Sequence, residues 1–331
     1  MIHAPVMLDE VCAALDLKAG ARLVDCTFGA GGYSRALLGR ENIQLLALDR
    51  DPTVRPHAEA LAAEFGNRFA FTQTPFSGLE AAIAGQGWDG VEGVVLDIGV
   101  SSMQIDNADR GFSFMRDGPL DMRMGDTGPT AADAVNHLSA QALSAIFRTF
   151  GEERGARRAA AAIVQARAEA PLQTTGALAE LMAQVLGGGW QKIHPATKVF
   201  QALRIYINDE LGELHRALLA AERVLLPAGR LVVVAFHSLE DRIVKQFFRV
   251  RSELPPQGSR HIPVGEKVDF SPSFSMLGRK AQKPGADEVS TNPRARSARL
   301  RAGIRQNAAP MATAPLTFGD IPDLDTLEAL I

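Results

Sequence analysis

The sequence has very little cysteine, since its 331 residues contain only Cys12 and Cys26. Two thiols cannot build a disulfide framework or a four-thiolate metal site, so we expect no bound metal. Such scarcity is typical of the reducing cytoplasm, which is the location that we predict. Long apolar runs are missing too: no stretch of about 18 uninterrupted apolar residues occurs. The first residues also lack a basic segment followed by an apolar run, so we predict neither a signal peptide nor a membrane partner.

A large excess of charge of one sign is absent as well. Lys and Arg number 35 and Asp and Glu number 38, and 46% of the residues are hydrophobic. This composition excludes a disordered tail protein, a fibrous repeat and a supercharged nucleic-acid coat. Locally the balance changes, because residues 249–305 hold twelve basic and five acidic side chains, whereas the residues after Arg305 hold four acidic ones and no basic one. The basic segment is either a polyanion-binding surface or an ordinary solvated face, and charge alone favours neither.

The first hundred residues alternate between short apolar runs and helical segments. Strands are predicted at 21–25, 44–48, 69–71 and 93–96. Helices are predicted between them, at 33–39 and 53–65. Continuously apolar strands that alternate with helices indicate a parallel sheet covered on both faces, so the predicted fold class is α/β.

A mostly helical insertion near residues 105–200 interrupts this sheet. One of its helices is indicated by apolar residues at helical spacing: Leu143, Ile146, Phe147 and Phe150. A long helix is predicted over 197–226, ended by a turn at 227–229. Three further strands are expected near 230–236, 273–280 and 295–304, the last two antiparallel.

Three aspartates lie at the carboxyl ends of predicted strands, where open α/β sheets bind ligands. Asp25 precedes the glycine-rich segment 29–32, Asp49 follows Gly29 by twenty positions, and Asp97 ends an aliphatic strand. Glycines let the backbone approach a ligand closely. A carboxylate in the position of Asp49 can accept hydrogen bonds from both hydroxyls of a ribose. Together these features predict a cofactor that contains adenosine.

The glycine pattern favours S-adenosylmethionine over a nicotinamide dinucleotide. A dinucleotide fingerprint needs a third glycine that packs the helix on the strand, and this chain has Ser34 there. An acidic residue four positions before the first glycine, here Asp25, is more typical of methyltransferases. A carboxylate near the ammonium group of a methionine moiety is electrostatically reasonable.

Eight motifs make the chain resemble the family of ribosomal RNA small-subunit methyltransferase H, the MraW family. They are HAPVM at 3–7, DCTFGAGG at 25–32, DIGVSSMQ at 97–104, RGFSF through DMRM at 110–124, FGEER at 150–154, HPATK at 194–198, FHSLEDR at 236–242 and NPRARS at 292–297. The motifs occur in family order and span most of the chain. Strings of this length do not arise together by chance.

The resemblance implies a Rossmann-like class I S-adenosylmethionine-dependent methyltransferase fold with an inserted helical subdomain. The expected parts are a discontinuous methyltransferase domain, 1–104 and 201–305, an inserted substrate-recognition domain, 105–200, and a loosely ordered tail, 306–331. The implied reaction is N4-methylation of one cytidine in the decoding region of small-subunit (16S) ribosomal RNA, so the implied partner is the small ribosomal subunit. The resemblance leaves open whether the protein is a homodimer.

Seven cofactor contacts follow from the resemblance by position: Gly31, Gly32, Tyr33, Asp49, Phe76, Asp97 and Gln104. One of them departs from the family pattern, which usually has histidine where this chain has Tyr33. A backbone contact would survive that change, whereas a role for imidazole chemistry would not.

The choice of a proton acceptor for the amine stays open at this point. Asp97 is the first candidate, and holding only the cofactor is an equally good interpretation of that residue. We interpret His194 and His237 as structural residues rather than as bases.

Two further groups have alternative interpretations. Phe112 and Phe114 either stack on an unpaired base or, in the case of Phe114, pack in the core. The arginines near the end of the chain contact phosphates or are simply solvated: Arg294, Arg296, Arg299 and Arg301.

Overall fold

A computed structural model describes residues 5–16, 18–40, 42–187, 194–253 and 270–331. The predictions that fall on His3, Arg260 and Lys267 therefore lie outside the described residues. The chain forms two compact units. The sheet unit comprises Met1–Gly99 with Glu213–Ala314, and the helical unit comprises Val100–Gly212 with Pro315–Ile331. Within the described ranges, no helix has the length and apolar character needed to cross a bilayer.

Seven strands build one sheet in the sheet unit. They are β1 (Arg22–Asp25), β2 (Gln44–Asp49), β3 (Phe69–Gln73), β4 (Val91–Asp97), β5 (Leu225–Ala235), β6 (Phe274–Met276) and β7 (Arg299–Arg305). The strand order is β3-β2-β1-β4-β5-β7-β6. Strands β1 to β5 are parallel, while β7 runs antiparallel to β5 and β6 antiparallel to β7. The predicted α/β class, the parallel sheet and the two final antiparallel strands are confirmed.

Helices cover this sheet and form the other unit. In chain order they are α1 (Leu8–Leu15), α2 (Gly32–Arg40), α3 (Arg55–Phe65), α4 (Leu79–Gly85), α5 (Ser102–Asp106), α6 (Ala131–His137), α7 (Ala140–Phe150), α8 (Ala156–Glu169), α9 (Thr175–Leu186), α10 (Thr197–Ile207), α11 (Glu210–Val224), α12 (Ser238–Ser252), α13 (Ala286–Thr291) and α14 (Leu324–Glu328).

The core of the sheet unit consists of the aliphatic strands and the helices that cover them. Val94 and Leu96 on β4 are fully buried, as is Val233 on β5, and they pack with Leu214 and Leu218 of α11. Burial of this kind yields about 25 cal/mol per Å² of apolar surface. The purely aliphatic strands therefore lie in the middle of the sheet, where neither face meets water.

In the helical unit, the predicted apolar face of α7 is confirmed. Leu143, Ile146, Phe147 and Phe150 are all buried. The end of the chain differs from the loosely ordered tail expected for 306–331. It carries α14 with the fully buried Leu327, and the ring of Phe318 lies 5.0 Å from that of Phe150.

The single helix predicted over 197–226 is wrong, because the chain breaks between α10 and α11. Asn208 is buried and uses its side chain as a bridge: its amide nitrogen donates to the carbonyl of Met122 at 2.7 Å and its oxygen accepts from the amide of Met124 at 2.7 Å. Asp209 then has a left-handed φ of 45°. The polar bridge and the left-handed residue end one helix before the next begins.

The turn predicted at 227–229 is a bulge inside β5 rather than a loop before it. Val91 pairs with Leu225 while Gly93 pairs with Arg230, so the residues between them protrude. Ala228 has a left-handed φ of 67° within this bulge.

The unit boundaries, 99/100 and 212/213, also differ from the expected 104/105 and 200/201. The assignment of methyl transfer to the sheet unit and of substrate recognition to the helical unit stays a prediction.

Candidate cofactor site

The three aspartates identified in the sequence end neighbouring parallel strands. Asp25 is the last residue of β1, Asp49 of β2 and Asp97 of β4, and β1 lies between the other two. Because the strands are parallel, all three carboxylates reach the same edge of the sheet. Their surroundings differ, and those differences assign different roles to them.

The glycine-rich loop after β1 has the backbone conformation that glycine permits. Gly29 has φ 54° and Gly31 has φ 79°, both in the left-handed region. A Cβ at Gly31 would lie 3.0 Å from the ring of Phe28, closer than ordinary van der Waals contact, so the ring would have to move slightly. The loop therefore exposes backbone next to the strand ends and leads directly into α2, where a negatively charged or polar ligand group is favoured.

Asp25 is a scaffold residue. Its side chain is 1% exposed, and its two oxygens accept hydrogen bonds from the amide of Thr27 at 3.1 Å and the hydroxyl of Ser34 at 2.7 Å. Burial raises the pKa of Asp25, and these hydrogen bonds oppose that rise. Both oxygens hold the loop, and the sequence-based expectation of a carboxylate beside a methionine ammonium group stays a prediction.

Asp49 is partly exposed and connects the loop to the next strand. Its carboxylate accepts from the amide of Gly29 at 2.8 Å and from the amide of Asp51 at 2.9 Å. Burial raises the pKa of Asp49 to about 6, against the lowering effect of these hydrogen bonds. Asp51, by contrast, accepts from the amide of Thr53 at 3.0 Å and so caps the short 3-10 helix Pro52–Val54.

Asp97 has an unsatisfied oxygen. Its amide donates to the hydroxyl of Thr27 at 2.8 Å, but the side-chain Oδ1 is buried and has no hydrogen-bond partner among the residues that the structure describes. Burial raises the pKa of Asp97 well above its usual value, and the carboxylates of Asp25 and Glu240 raise it further. A buried carboxylate oxygen without a donor is costly, and such groups concentrate at functional sites.

The other predicted contacts lie in different settings. Phe76 opens a short 3-10 helix after β3 and packs against the core of the sheet unit. Tyr33 is 4% exposed, and its hydroxyl donates to the carbonyl of Val6. Gln104 belongs to the helical unit, where it forms a capping box with Ser101 at the start of α5. None of these placements tests a cofactor contact, and all three stay predictions.

The two histidines have structural contacts, as interpreted from the sequence. His237 caps α12, and the buried Glu240 completes that capping box by accepting from the amides of Phe236 and His237. His194 accepts from the amide of Ala196 at 3.2 Å. Sequence reasoning missed Glu240, although its position three residues after the cap of a helix is a readable signal.

Phe114 makes ring contacts within the helical unit but is itself partly exposed, so packing and base stacking both stay open for it. Its ring centroid lies 4.6 Å from that of His194 and 5.0 Å from that of Phe200. Phe112 is partly exposed beneath the guanidinium group of Arg110.

The basic segment contributes less surface charge than its composition suggests. Arg251, Arg301 and Arg305 are at most 8% exposed. Arg301 binds the carboxylate of Asp241 through two hydrogen bonds, at 2.7 and 3.2 Å, and its Nη1 has no partner among the described residues, so a phosphate contact stays a prediction.

The terminal arginines do not share one strand either. Arg294 and Arg296 lie in a 3-10 helix, and only Arg299 and Arg301 lie on β7.

Comparison with known proteins gives a family match along nearly the whole chain. The model of the MraW methylase family matches residues 1–306. Ribosomal RNA small subunit methyltransferase H of Maricaulis maris is 54% identical over 329 residues, covering 99% of this chain and 98% of that protein. The protein of the same name from Rhodopseudomonas palustris is 51% identical over 329 residues, covering 99% and 97%.

Solved structures are much less similar. A putative rRNA methylase from Clostridium thermocellum aligns at 9% identity over 93% of this chain and 100% of its own, with a TM-score of 0.43. That similarity is too low to bear on function.

Proposed function

The chain belongs to the MraW methylase family, and on that premise we propose that it methylates N4 of one cytidine in the decoding region of small-subunit ribosomal RNA. S-adenosylmethionine is the cofactor and supplies an electrophilic methyl group. The observation that carries the proposal is Oδ1 of Asp97, a buried acceptor without a donor at the strand-end edge. An exocyclic amine offers the N–H donor that this oxygen lacks.

The residues of the sheet unit fit the cofactor. Asp49 presents a partly exposed carboxylate that can accept from ribose hydroxyls, and the loop through Gly31 and Gly32 offers backbone without side chains. Asp25 keeps this loop in place through Thr27 and Ser34. We therefore assign ribose binding to Asp49 and backbone contacts to the loop.

Asp97 is proposed to act on the amine. The nitrogen of a cytosine amino group is a weak nucleophile because its lone pair is conjugated with the ring. When Oδ1 accepts one N–H group, electron density returns to the nitrogen, and the carboxylate can take the proton that the nitrogen must lose. Its raised pKa makes it a better proton acceptor than an ordinary aspartate.

The helical unit is proposed to recognise the RNA, and the small ribosomal subunit or a late precursor is proposed as the substrate. The target base must leave its stack, at a cost of a few kcal/mol, and a folded particle that already presents an unpaired cytidine lowers that cost. Three of the arginines in the basic segment are buried, so electrostatic attraction to arbitrary RNA is limited.

The product and the substrate are tested together. Purified small subunits, naked full-length RNA and a short hairpin are incubated with the protein and labelled methyl donor at matched salt, and the nucleosides are separated by chromatography. N4-methylcytidine must be resolved from 5-methylcytidine, because the two have the same mass.

We expect N4-methylcytidine, formed fastest on the subunits. Formation of 5-methylcytidine would refute the proposed chemistry, and equal initial rates on all three RNAs would refute the particle requirement.

A further inference from the structure

The described chain begins with a short segment, Pro5–Met7, that lies on the glycine-rich loop. Val6 is 8% exposed and Met7 is 1% exposed, although they stand at the start of the described residues. Met7 has a left-handed φ of 53°, and its side chain makes no capping hydrogen bond to α1. Neither the local sequence nor helix capping accounts for this conformation, so contacts from elsewhere in the sheet unit must hold it.

Three contacts do so. The hydroxyl of Tyr33, on the first turn of α2, donates to the carbonyl of Val6. The carboxylate of Glu288, on α13, accepts from the amide of Met7 at 2.7 Å. The ring of Pro5 lies so close to Gly32 that a Cβ there would be 2.7 Å from Pro5 Cγ.

Two of these three contacts, those of Gly32 and Tyr33, reach the segment from the end of the cofactor loop and the start of α2. Gly32 and Tyr33 are two of the seven predicted cofactor contacts, yet the phenol of Tyr33 is buried and its hydroxyl is engaged with a backbone carbonyl. The pKa of Tyr33 is raised by burial and, next, by the carboxylate of Asp97, which places the ring within electrostatic reach of the unsatisfied aspartate. Tyr33 therefore links the segment to the site without offering a free polar atom to a ligand.

We propose that Pro5–Met7 forms one wall of the cofactor site and that Tyr33 is the positioning residue that holds this wall against the loop. The inference rests on the proposed cofactor site. A phenol reaches the Val6 carbonyl and supplies a donor there. The contribution of Tyr33 to cofactor affinity is then indirect, through the order of the segment.

The test compares two tyrosines, the only two in the sequence. Tyr33→Phe removes the hydroxyl and leaves the carbonyl of Val6 without that donor. Tyr206→Phe is the matched control, because Tyr206 is also 4% exposed and its hydroxyl donates to a backbone carbonyl, that of Asp323, but in the helical unit. Affinity for S-adenosylhomocysteine is measured by calorimetric titration, and hydrogen exchange is followed in peptides that cover residues 5–16.

We expect Tyr33→Phe to weaken S-adenosylhomocysteine binding about tenfold, the scale of one unsatisfied buried carbonyl, and to speed exchange at the start of the chain. Tyr206→Phe should leave both unchanged. Glu288→Ala removes the acceptor of the Met7 amide at a partly exposed position. This variant should also weaken S-adenosylhomocysteine binding and speed hydrogen exchange in residues 5–16. The double variant should lose less than the product of the two single effects, because both residues act through one segment.

The outcomes are distinguishable. If the unaltered protein binds S-adenosylhomocysteine and both Tyr33→Phe and Glu288→Ala bind it within twofold of that value, the wall assignment is overturned and the proposed function stands. If the unaltered protein does not bind S-adenosylhomocysteine, the cofactor site itself is misassigned, and the proposal that Pro5–Met7 forms one of its walls is overturned as well. A general loss of stability without a role at the site would lower Tm in Tyr33→Phe and leave the affinity unchanged, which also overturns the proposal.

Discussion

Binding of S-adenosylhomocysteine is expected to weaken as the pH falls below 6, because Asp49 must be ionised to accept hydrogen bonds from both ribose hydroxyls. Burial raises the pKa of Asp49 to about 6 in the free protein. At pH 8 nearly all molecules carry the carboxylate, and at pH 5 about one in eleven does, so the dissociation constant should rise roughly tenfold between these values. The sign follows from linkage: the bound state prefers the charged form, so binding below pH 6 releases a proton.

The assay is calorimetric titration at several pH values in buffers of different ionisation enthalpy, which also counts the protons. Roughly 0.9 proton should be released at pH 5 and almost none at pH 8. Asp49→Asn is the control, since it keeps the shape and one acceptor but cannot titrate. This variant should bind more weakly at pH 8, by about 1.5–3 kcal/mol or ten- to 150-fold, and its affinity should not change from pH 8 to pH 5.

Two results would refute this reasoning. A constant affinity in the unaltered protein from pH 8 to pH 5 would mean that Asp49 does not face the ligand. If the affinity of Asp49→Asn changed with pH as much as that of the unaltered protein, the group that titrates would be a different one.

Three further predictions concern single positions. Asp97→Asn should lower kcat at least about 100-fold while S-adenosylhomocysteine affinity stays within threefold; the opposite pattern would show that Asp97 only holds the cofactor. Because burial raises the pKa of Asp97, its ionised form costs stability above that pKa, so the same variant should have a higher Tm at pH 8 than the unaltered protein. Gly31→Ala should lower the free energy of unfolding by about 1–2 kcal/mol and weaken cofactor binding. The control Gly39→Ala, at an open helical position, should be neutral or stabilising by up to about 1 kcal/mol. Equal effects of the two substitutions in urea titrations would contradict the role of the left-handed φ of Gly31. Arg251→Met should cost about 3–5 kcal/mol in the same titration, because it leaves the carboxylate of Glu222 buried without its charged partner at 2.6 Å, and a loss below 1 kcal/mol would show that this ion pair is dispensable.

Much of the sheet unit could be predicted from the sequence because its signals are local. Strands such as β4 contain short aliphatic runs, here residues 94–96, and an aspartate marks the point where β4 ends. The break between α10 and α11 could not be predicted in the same way. It depends on Asn208 bridging two backbone groups more than 80 positions earlier, and a local helical pattern contains no information about such a partner.

The site shows the same limit. The sequence identifies Asp25, Asp49 and Asp97 by one shared signal, since each ends an apolar strand, and that signal contains no information about their hydrogen-bond partners. What separates them is their exposure and the donors that the fold supplies. Asp25 is buried and accepts from Thr27 and Ser34, Asp49 accepts from two backbone amides while staying partly exposed, and Oδ1 of Asp97 has no donor among the described residues. Those donors come from Thr27, Ser34 and the loop, whose positions are set only once the strands align. Among these three aspartates, Asp97 is the one with a buried side-chain oxygen to which the described part of the chain supplies no donor, and the amine chemistry is assigned to it for that reason.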